Sequence, residues 1–398
     1  HFDNFNSTYH PWNSVNMGPK RDIIGEFAKS SKKYGIPFGV SSHDDRYLGW
    51  WLSAFGADTS GPMKGVPYDG NMTKEDGKGK WWEGLDPADL YGLPPEKRTP
   101  EWIEGVKHNW LLRHKELVTK YDVDMIWFDG YDFPYGEYGK ELCQYFINGD
   151  YQQHGVFTKA VIGKMGNEKA VVKDIERGGA NEILKQPWQG ITTLRTWFYK
   201  EDIGSEYKQN ARTIIELLCD YMSKNGNLLL NVELLPDGTI PPVQKKMLDD
   251  IGDWVNTNSE AIYASKPWKI YGDNLNSSLG SKEINLSETD LKAQEQQKKN
   301  EQFNERSIKS PPYGYNEVRF TTKGDLLYVF VLNPADGAID IPSLGLESKY
   351  NLKKINAIKM IGSVEKIQYK QKADKLVLDV PAIRPNRFAA VFEVKGVL

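Results

Sequence analysis

The fold is indicated most strongly by the stretch Asp124-Met125-Ile126-Trp127-Phe128-Asp129-Gly130-Tyr131. An apolar run ends abruptly in an acid and a glycine, and it follows a long amphipathic helical pattern. A buried parallel strand ends in this way when it delivers a carboxylate to the mouth of a β/α barrel, where chemistry lies at the C-terminal ends of strands. Asp129 is therefore a candidate nucleophile or base. The alternative is an aspartate that caps the following helix.

Composition limits the class of protein. The chain has 398 residues, enough for one large domain and a smaller one. A hydrophobic content of 39% with 26% charged residues is typical of a globular protein. A net charge of −3 argues against a nucleic-acid partner. No apolar stretch approaches the roughly 20 residues of a membrane span, so none is predicted.

Neither the cysteines nor the histidines form a convincing metal-binding pattern. Cys143 and Cys219 each lie inside a helical pattern and are interpreted as buried thiols. The six histidines are scattered, and no glycine-rich phosphate loop follows a strand. We therefore expect no metal and no cofactor.

Helices and strands alternate through the first two-thirds of the chain, which predicts a parallel sheet with helices outside it. Helices are predicted over 21–34, from Thr99-Pro100 onward, over 211–222 and over 243–255. A closed barrel needs eight strands, whereas the sequence suggests six. The six strand candidates are 36–40, 124–128, 160–162, 170–172, 192–196 and 227–231.

The character of the sequence changes after about residue 265. Residues 274–310 are polar and are interpreted as an insertion. Short alternating strands with regular turns then predict a β-sandwich, at 317–321, 326–332, 355–360, 375–380 and 388–394. We thus expect a catalytic domain over 1–264 and a C-terminal domain over 265–398.

Tryptophans in a loop of some fifty residues after the first strand suggest a binding surface. Trp50, Trp81 and Trp82 lie there, and aromatic rings stack well on the apolar faces of sugars. The alternative is a loop whose aromatic residues only pack on one another.

Five segments in the same order resemble the α-L-fucosidases of glycoside hydrolase family 29. His1-Phe2-Asp3-Asn4-Phe5 is similar to the family's His-His-Asp-Gly-Phe segment, and Trp127-Phe128-Asp129-Gly130 to the segment that carries its nucleophile. The third is Pro19-Lys20-Arg21-Asp22-Ile23-Ile24-Gly25-Glu26. The fourth joins Ser223-Lys224-Asn225-Gly226-Asn227-Leu228-Leu229-Leu230-Asn231 with Pro236-Asp237-Gly238-Thr239-Ile240, which resemble the family's last barrel strand and its loop. The fifth is Ser259-Glu260-Ala261-Ile262-Tyr263.

The resemblance implies a retaining exo-α-L-fucosidase with an α/β fold, a (β/α) TIM-like barrel followed by a C-terminal antiparallel β-sandwich. Family members have a first strand, a helix and most of a second strand before the His-His-Asp-Gly-Phe segment. We therefore expect the barrel to be N-terminally incomplete here, with the first strand and part of the second not in this chain. Six strands and two missing ones make eight.

The resemblance also implies the catalytic pair. Asp129 corresponds to the nucleophile, and the acid/base lies on a variable loop that corresponds to residues 174–182. Glu176 directly follows the strand candidate 170–172 and is preferred, with Glu182 as the second candidate. The alternatives are a Glu176 that pairs with Arg177 or Lys173, and a Glu182 that is a surface charge.

Sugar-binding residues are carried over position by position. His1 matches the first histidine of the family pair, Phe2 replaces the second, and His43 is a candidate for the missing donor. Trp127 and Lys164 lie at positions that resemble substrate contacts. Trp197 and Phe198 lie in a segment that resembles the wall around the fucose methyl group, where Phe198 replaces a glycine.

Partner and location follow from the resemblance. The expected substrate is a fucosylated oligosaccharide or polysaccharide, and a homo-oligomer stays open. Such substrates are secreted, periplasmic or lysosomal, which is the expected location of the protein. Two other functions stay open: a retaining glycosidase for a related sugar, such as an α-L-galactoside or a substituted fucose, and a carbohydrate-binding pseudoenzyme.

Overall fold

A computed structural model describes residues 2–165, 171–201, 207, 209–273, 306–309 and 313–398. The chain divides into two compact units, His1–Lys173 and Asp174–Leu398. His1, residue 170 and most of the predicted insertion 274–310 lie outside the described residues. The predicted domain boundary at 264/265 stays a prediction.

The first unit contains parallel strands that alternate with helices. Its strands pair in the order β1-β2-β3-β4, and β4 contains the boundary between the units. Residues 43–99 form only short helices and 3₁₀ turns, as expected for the long loop. The strands are β1 Gly39–Ser42, β2 Met125–Phe128, β3 Ala160–Gly163 and β4 Val172–Glu176, and the helices are α1 Ile23–Lys33, α2 Tyr47–Trp50, α3 Pro87–Tyr91, α4 Pro100–Lys120 and α5 Glu137–His154.

Helix α4 begins where the sequence predicts. Thr99 is its N-cap and accepts a hydrogen bond from the amide of Trp102, and Pro100 occupies the first turn. The buried face of α4 includes Trp110 and Leu117. It belongs to a core cluster with residues of the strands, among them Ile126. Burial of this apolar face holds β2 in the sheet.

The second unit continues the parallel arrangement in the order β4-β5-β6 and adds antiparallel sheets. Strand β5 is Trp188–Thr193 and β6 is Gly226–Asn231. The helices are α6 Ala211–Ser223, α7 Pro242–Thr257, α8 Ser259–Ile262 and α9 Arg306–Lys309.

Two predicted strands were placed wrongly along the chain. Strand β4 runs to Glu176 instead of ending at residue 172, because buried Asp174 accepts a hydrogen bond from the side chain of Gln189 on β5. Strand β5 begins at Trp188 instead of residue 192. Within this earlier part of the strand, a Cβ at Gly190 would lie 2.3 Å from a ring carbon of Tyr221. Glycine is therefore required for the close packing of α6 on this strand.

The C-terminal strands form two antiparallel sheets with a common core. The five-stranded sheet has the order β11-β14-β9-β8-β7, and the three-stranded sheet has the order β10-β13-β12. Apolar side chains of both sheets belong to one buried cluster. The strands are β7 Lys266–Asp273, β8 Glu317–Lys323, β9 Leu326–Leu332, β10 Gly337–Ile341, β11 Ala357–Met360, β12 Tyr369–Gln371, β13 Leu376–Val380 and β14 Ala390–Lys395.

The expected combination of a parallel α/β part and C-terminal antiparallel sheets is confirmed, and closure into a barrel stays a prediction. No helix within the described part of the chain is long and apolar enough to cross a membrane. Among those same residues no group of three or more His, Cys, Asp and Glu is arranged to hold a metal ion. Cys143 and Cys219 are buried and free.

Candidate active site

Three neighbouring strands of the first unit end in register, and each delivers one polar side chain. Ser42 pairs with Phe128, and Phe128 pairs with Gly163. The residues that follow are His43, Asp129 and Lys164. Because the carboxyl ends of parallel strands meet at one edge of a sheet, these side chains converge there.

Two cations contact the carboxylate of Asp129. The Nζ of Lys164 lies 2.6 Å from its Oδ1, and a guanidinium nitrogen of Arg46 lies 3.0 Å from its Oδ2. The same nitrogen donates to the backbone carbonyl of Asp129 at 2.9 Å. Lys164 is buried, whereas one-third of the Arg46 side chain is exposed (34%). The carboxylate is therefore oriented by one fixed and one more accessible cation.

His43 and Trp127 form a second side of this site. His43 Nε2 lies 3.9 Å from Asp129 Oδ2. The ring centroids of His43 and Trp127 are 5.5 Å apart. Burial lowers the pKa of His43, opposed in part by the charge of Asp129. A neutral imidazole both donates and accepts, which suits a sugar hydroxyl. Trp127 is buried and its Nε1 has no hydrogen-bond partner among the described residues.

A buried ion-pair network supports the loop that carries Arg46. Arg113 of α4 donates to both carboxylate oxygens of Asp3, at 3.0 and 2.6 Å, and to Asp44 at 2.5 Å. Burial alone would raise the pKa of Asp44, but the Arg113 guanidinium outweighs it and holds that pKa well below its usual range. The turn after β1 is thus anchored to α4.

Asp45 and Arg46 were missed by the sequence reasoning. Both belong to the 3₁₀ turn Asp44–Arg46, which follows His43 at the end of β1. Burial raises the pKa of Asp45 to about 6; the positive charge of Arg46 opposes this shift and the negative charge of Asp129 adds to it. The signal available in the sequence was a run of six polar residues, 41–46, directly after the predicted strand 36–40.

The second unit holds the other predicted catalytic and wall residues. Glu176 is the last residue of β4, half-buried, and Arg177 follows it with a left-handed backbone at φ 48°. The guanidinium of Arg177 stacks over the ring of Trp197 at 4.9 Å. A carboxylate at a strand end has the placement expected of an acid/base group.

Glu182 lies in a different setting within the same unit. It is exposed and lines a surface cavity of about 660 Å³ with residues of β7, among them Tyr271 and Asp273. Glu176 does not line that cavity. The assignment of the acid/base to Glu176, with Glu182 as the second candidate, stays a prediction.

The buried side chain of Glu233 orders the segment around Trp197 and Phe198, which is the predicted wall of the sugar site. The sequence reasoning missed this glutamate. Glu233 accepts from Arg195 at 2.8 Å, from the amide of Thr196 at 3.1 Å and from Gln244 at 3.0 Å. Asn231 donates to the carbonyl of Trp197 at 3.2 Å. These bonds fix the backbone before Phe198, whose ring is exposed.

The loop tryptophans differ in exposure. Trp50 is exposed, and the guanidinium of Arg46 lies 4.8 Å from its ring. Trp81 is exposed, whereas Trp82 is buried against Trp12. Trp81 and Trp50 therefore expose aromatic surface, with Arg46 against the ring of Trp50, and Trp82 packs the loop. Sugar contacts by all three, and by His1 outside the described residues, stay predictions.

Sequence comparison relates the chain to one family and to enzymes of animals. Residues 1–260 match the family model described as alpha-L-fucosidase. A putative alpha-L-fucosidase of Caenorhabditis elegans is 28% identical over 265 residues, which are 65% of this chain and 46% of that protein. The tissue alpha-L-fucosidase of Bos taurus is 26% identical over 66% of this chain and 49% of its own length. The chain thus spans about half the length of these relatives.

Structure comparison gives the same fold. A crystal structure of Thermotoga maritima alpha-fucosidase matches with a TM-score of 0.63 and 23% identity, over 98% of this chain and 72% of that one. Alpha-L-fucosidase isoenzyme 1 from Paenibacillus thiaminolyticus matches with a TM-score of 0.64 and 19% identity, over 100% and 80% of the two chains. At these identities the likeness concerns the fold alone.

Proposed function

We propose that this chain, which belongs to the alpha-L-fucosidase family (glycoside hydrolase family 29), is a retaining exo-α-L-fucosidase. Its proposed nucleophile is Asp129. The observation that carries the proposal is the convergence of Lys164, Arg46 and His43 on the Asp129 carboxylate at three register-matched strand ends. Terminal α-L-fucose on an oligosaccharide or polysaccharide is the proposed substrate.

The proposed reaction is a double displacement. An oxygen of Asp129 bonds to the anomeric carbon of fucose as the bond to the leaving oxygen breaks, and Glu176 gives that oxygen a proton. Water, deprotonated by Glu176, then attacks the anomeric carbon and releases Asp129. Two inversions give net retention. Lys164 orients the carboxylate for attack, and His43 is proposed to bind a fucose hydroxyl.

The finer features of the fold and the location of the protein belong to the same proposal. Family members close eight strands into a (β/α) barrel, and the parallel strands described here are proposed to be part of such a barrel. The two antiparallel sheets are proposed to be its C-terminal β-sandwich. A secreted, periplasmic or lysosomal location is proposed from the substrate.

The test is hydrolysis of 4-nitrophenyl α-L-fucopyranoside, with the product configuration read by NMR within the first minutes. Turnover with an initial α-fucose product is expected. Initial β-fucose would contradict the retaining mechanism. No turnover and no binding of fucose would contradict the function itself, while binding without turnover would favour the pseudoenzyme.

A related sugar is the second candidate function, and Phe198 is the observation that favours it. Its exposed ring occupies the position where the family has a glycine, so it narrows the predicted wall around the fucose methyl group. The same assay with the α-L-galactoside separates the two sugars. Turnover of the galactoside without turnover of the fucoside would replace the first proposal by the second.

Glu176→Ala is expected to separate substrates by their leaving groups. An oligosaccharide, whose leaving alcohol needs a proton, is expected to lose roughly 10²–10⁴-fold in kcat/KM. The 4-nitrophenyl substrate, whose leaving group needs little protonation, is expected to lose far less in its first step. Azide is expected to restore turnover through a fucosyl azide of retained configuration.

Glu182→Ala is the matched control and is expected to behave as the wild type on both substrates. The reverse pattern, with Glu182→Ala impaired on the oligosaccharide and Glu176→Ala unaffected, would transfer the acid/base role to Glu182.

A further inference from the structure

One oxygen of the half-buried Asp45 carboxyl, Oδ1, is buried and lacks a hydrogen-bond partner among the described residues. Asp45 Oδ2 lies against Gly130, where an added Cβ would come within 2.5 Å of it. Gly130 directly follows Asp129, so the sequence keeps space for this carboxyl beside the nucleophile. A buried polar atom without a partner calls for a functional explanation.

The charges that act on Asp45 come from its own turn and from the end of β2. Asp44 and Arg46 flank it in the turn, and Asp129 acts on it from the end of β2. Tyr135, just before α5, is a further titratable group that interacts with it; burial raises the pKa of that tyrosine, and the Asp45 charge helps to raise it. Arg46 is engaged with Asp129 instead, through the 3.0 Å contact with Oδ2 and the bond to the backbone carbonyl. Two carboxyl groups thus compete for one guanidinium, and in the free enzyme Asp129 holds it.

Formation of the covalent intermediate changes this competition. When an oxygen of Asp129 bonds to the anomeric carbon, the leaving oxygen departs with the bonding electrons and takes up a proton. Asp129 becomes a neutral ester and loses its attraction for both cations. Lys164 is almost fully enclosed, with 3% of its side chain exposed, whereas 34% of the Arg46 side chain is exposed. Arg46 is therefore the less enclosed of the two cations and the one whose guanidinium can be redirected.

We propose that Asp45 is a positioning residue that accepts the Arg46 guanidinium when Asp129 becomes glycosylated. This inference rests on the proposed function of Asp129. Transfer of Arg46 to Asp45 frees the Oδ2 side of the nucleophile and provides a charge partner for a cation that would otherwise be left without one. It also provides a hydrogen-bond donor for Asp45 Oδ1, which has none among the described residues.

The experiment compares Asp45→Asn with Asp132→Asn, an exposed carboxyl in the segment after β2. The probe is 2-deoxy-2-fluoro-α-L-fucosyl fluoride, and the rate of covalent labelling is followed by intact mass. Asp45→Asn is expected to be labelled about 10- to 100-fold more slowly, because glycosylation then leaves Arg46 without a charge partner. Asp132→Asn is expected to be labelled at the wild-type rate.

A double-mutant cycle distinguishes the transfer of Arg46 to Asp45 from a purely structural role of Asp45. In an Arg46→Gln background, Asp45→Asn is expected to have no further effect on labelling, because no guanidinium is left to transfer. The midpoint of thermal unfolding is expected to be unchanged or higher in Asp45→Asn, because the lost carboxyl had an oxygen without a partner. A lower midpoint with additive effects on labelling would assign Asp45 a structural role and overturn the inference.

The pH dependence gives a readout in the wild type alone. Burial raises the pKa of Asp45 to about 6, so Asp45 is neutral below that pH and is then a weaker acceptor for Arg46. The wild-type labelling rate is expected to fall as the pH drops through about 6, and Asp45→Asn is expected to lose that dependence.

The outcomes distinguish this inference from the proposal on which it rests. A wild type that is never labelled and hydrolyses no fucoside would overturn the proposed function. A labelled wild type with an Asp45→Asn variant labelled at the same rate would overturn the role of Asp45 alone.

Discussion

Asp129→Ala is expected to lower kcat/KM for 4-nitrophenyl α-L-fucoside on the order of 10⁴-fold or more, because the covalent step then has no nucleophile. A loss of that size corresponds to about 5 kcal/mol of transition-state stabilisation. Azide is expected to restore part of the turnover by entering the space of the lost carboxylate. The product would then be a fucosyl azide of inverted configuration, which NMR identifies.

Two controls separate the chemistry from the fold in this experiment. Asp132→Ala removes an exposed carboxylate three residues away and is expected to keep wild-type activity. Asp129→Asn keeps the volume of the side chain and one oxygen for Lys164, yet it is expected to be as inactive as the alanine variant. Activity of Asp129→Ala within tenfold of the wild type would remove Asp129 from the mechanism.

Arg113→Met is expected to produce the largest loss of stability, about 3–5 kcal/mol in the free energy of unfolding of the first unit. The guanidinium donates to Asp3 and to Asp44, and all three side chains are largely enclosed. Without it, two buried carboxylates face each other with no cation between them. Urea unfolding, followed by the fluorescence of the buried tryptophans, measures the change.

The pH dependence of this loss has a definite sign. The folded-state pKa of Asp44 is held below its usual value of 3.8, so its ion pair stabilises the fold above that pH and loses this contribution as the pH falls below it. The difference between wild type and Arg113→Met is therefore expected to shrink toward acid pH, where protonation removes the buried charges. A difference that grows toward acid pH would contradict this assignment.

Arg21→Met is the matched control for Arg113→Met. Arg21 pairs with Glu26 at the surface, where water and salt screen the charges. Its removal is expected to leave the unfolding midpoint unchanged within error. Equal losses in the two variants would show that burial does not govern the strength of these pairs.

Local patterns in the sequence were sufficient to predict the elements that frame the site. The apolar run before Asp129 and the Thr99-Pro100 start of α4 are encoded by consecutive residues, and both elements form where predicted. The placement of Lys164 near the substrate was carried over from the family resemblance. Its 2.6 Å contact with Asp129 agrees with that placement, and its contact with the sugar stays a prediction.

Residues that act across the sheet were not predictable in this way. Asp174 looked like the start of a loop because its partner Gln189 lies on the next strand. Glu233 was not singled out in the sequence because its donors Arg195 and Gln244 are not its neighbours in the chain. In each case a long-range hydrogen bond outweighs the local preference of a polar side chain for a loop.

The sequence by itself predicted the alternation of helices and strands before residue 265 and, with the family resemblance, the candidate nucleophile Asp129, because periodicity and strand-end acids are local features. It did not predict α5, β7, β10 or β12. Only the tertiary structure decided which cations contact that carboxylate. Arg46 and Lys164 lie 83 and 35 residues away from Asp129, and they meet it because strand register brings three chain segments to one edge of the sheet. The missing partner of Asp45 was likewise decided there, since burial and competition for a shared guanidinium depend on packing.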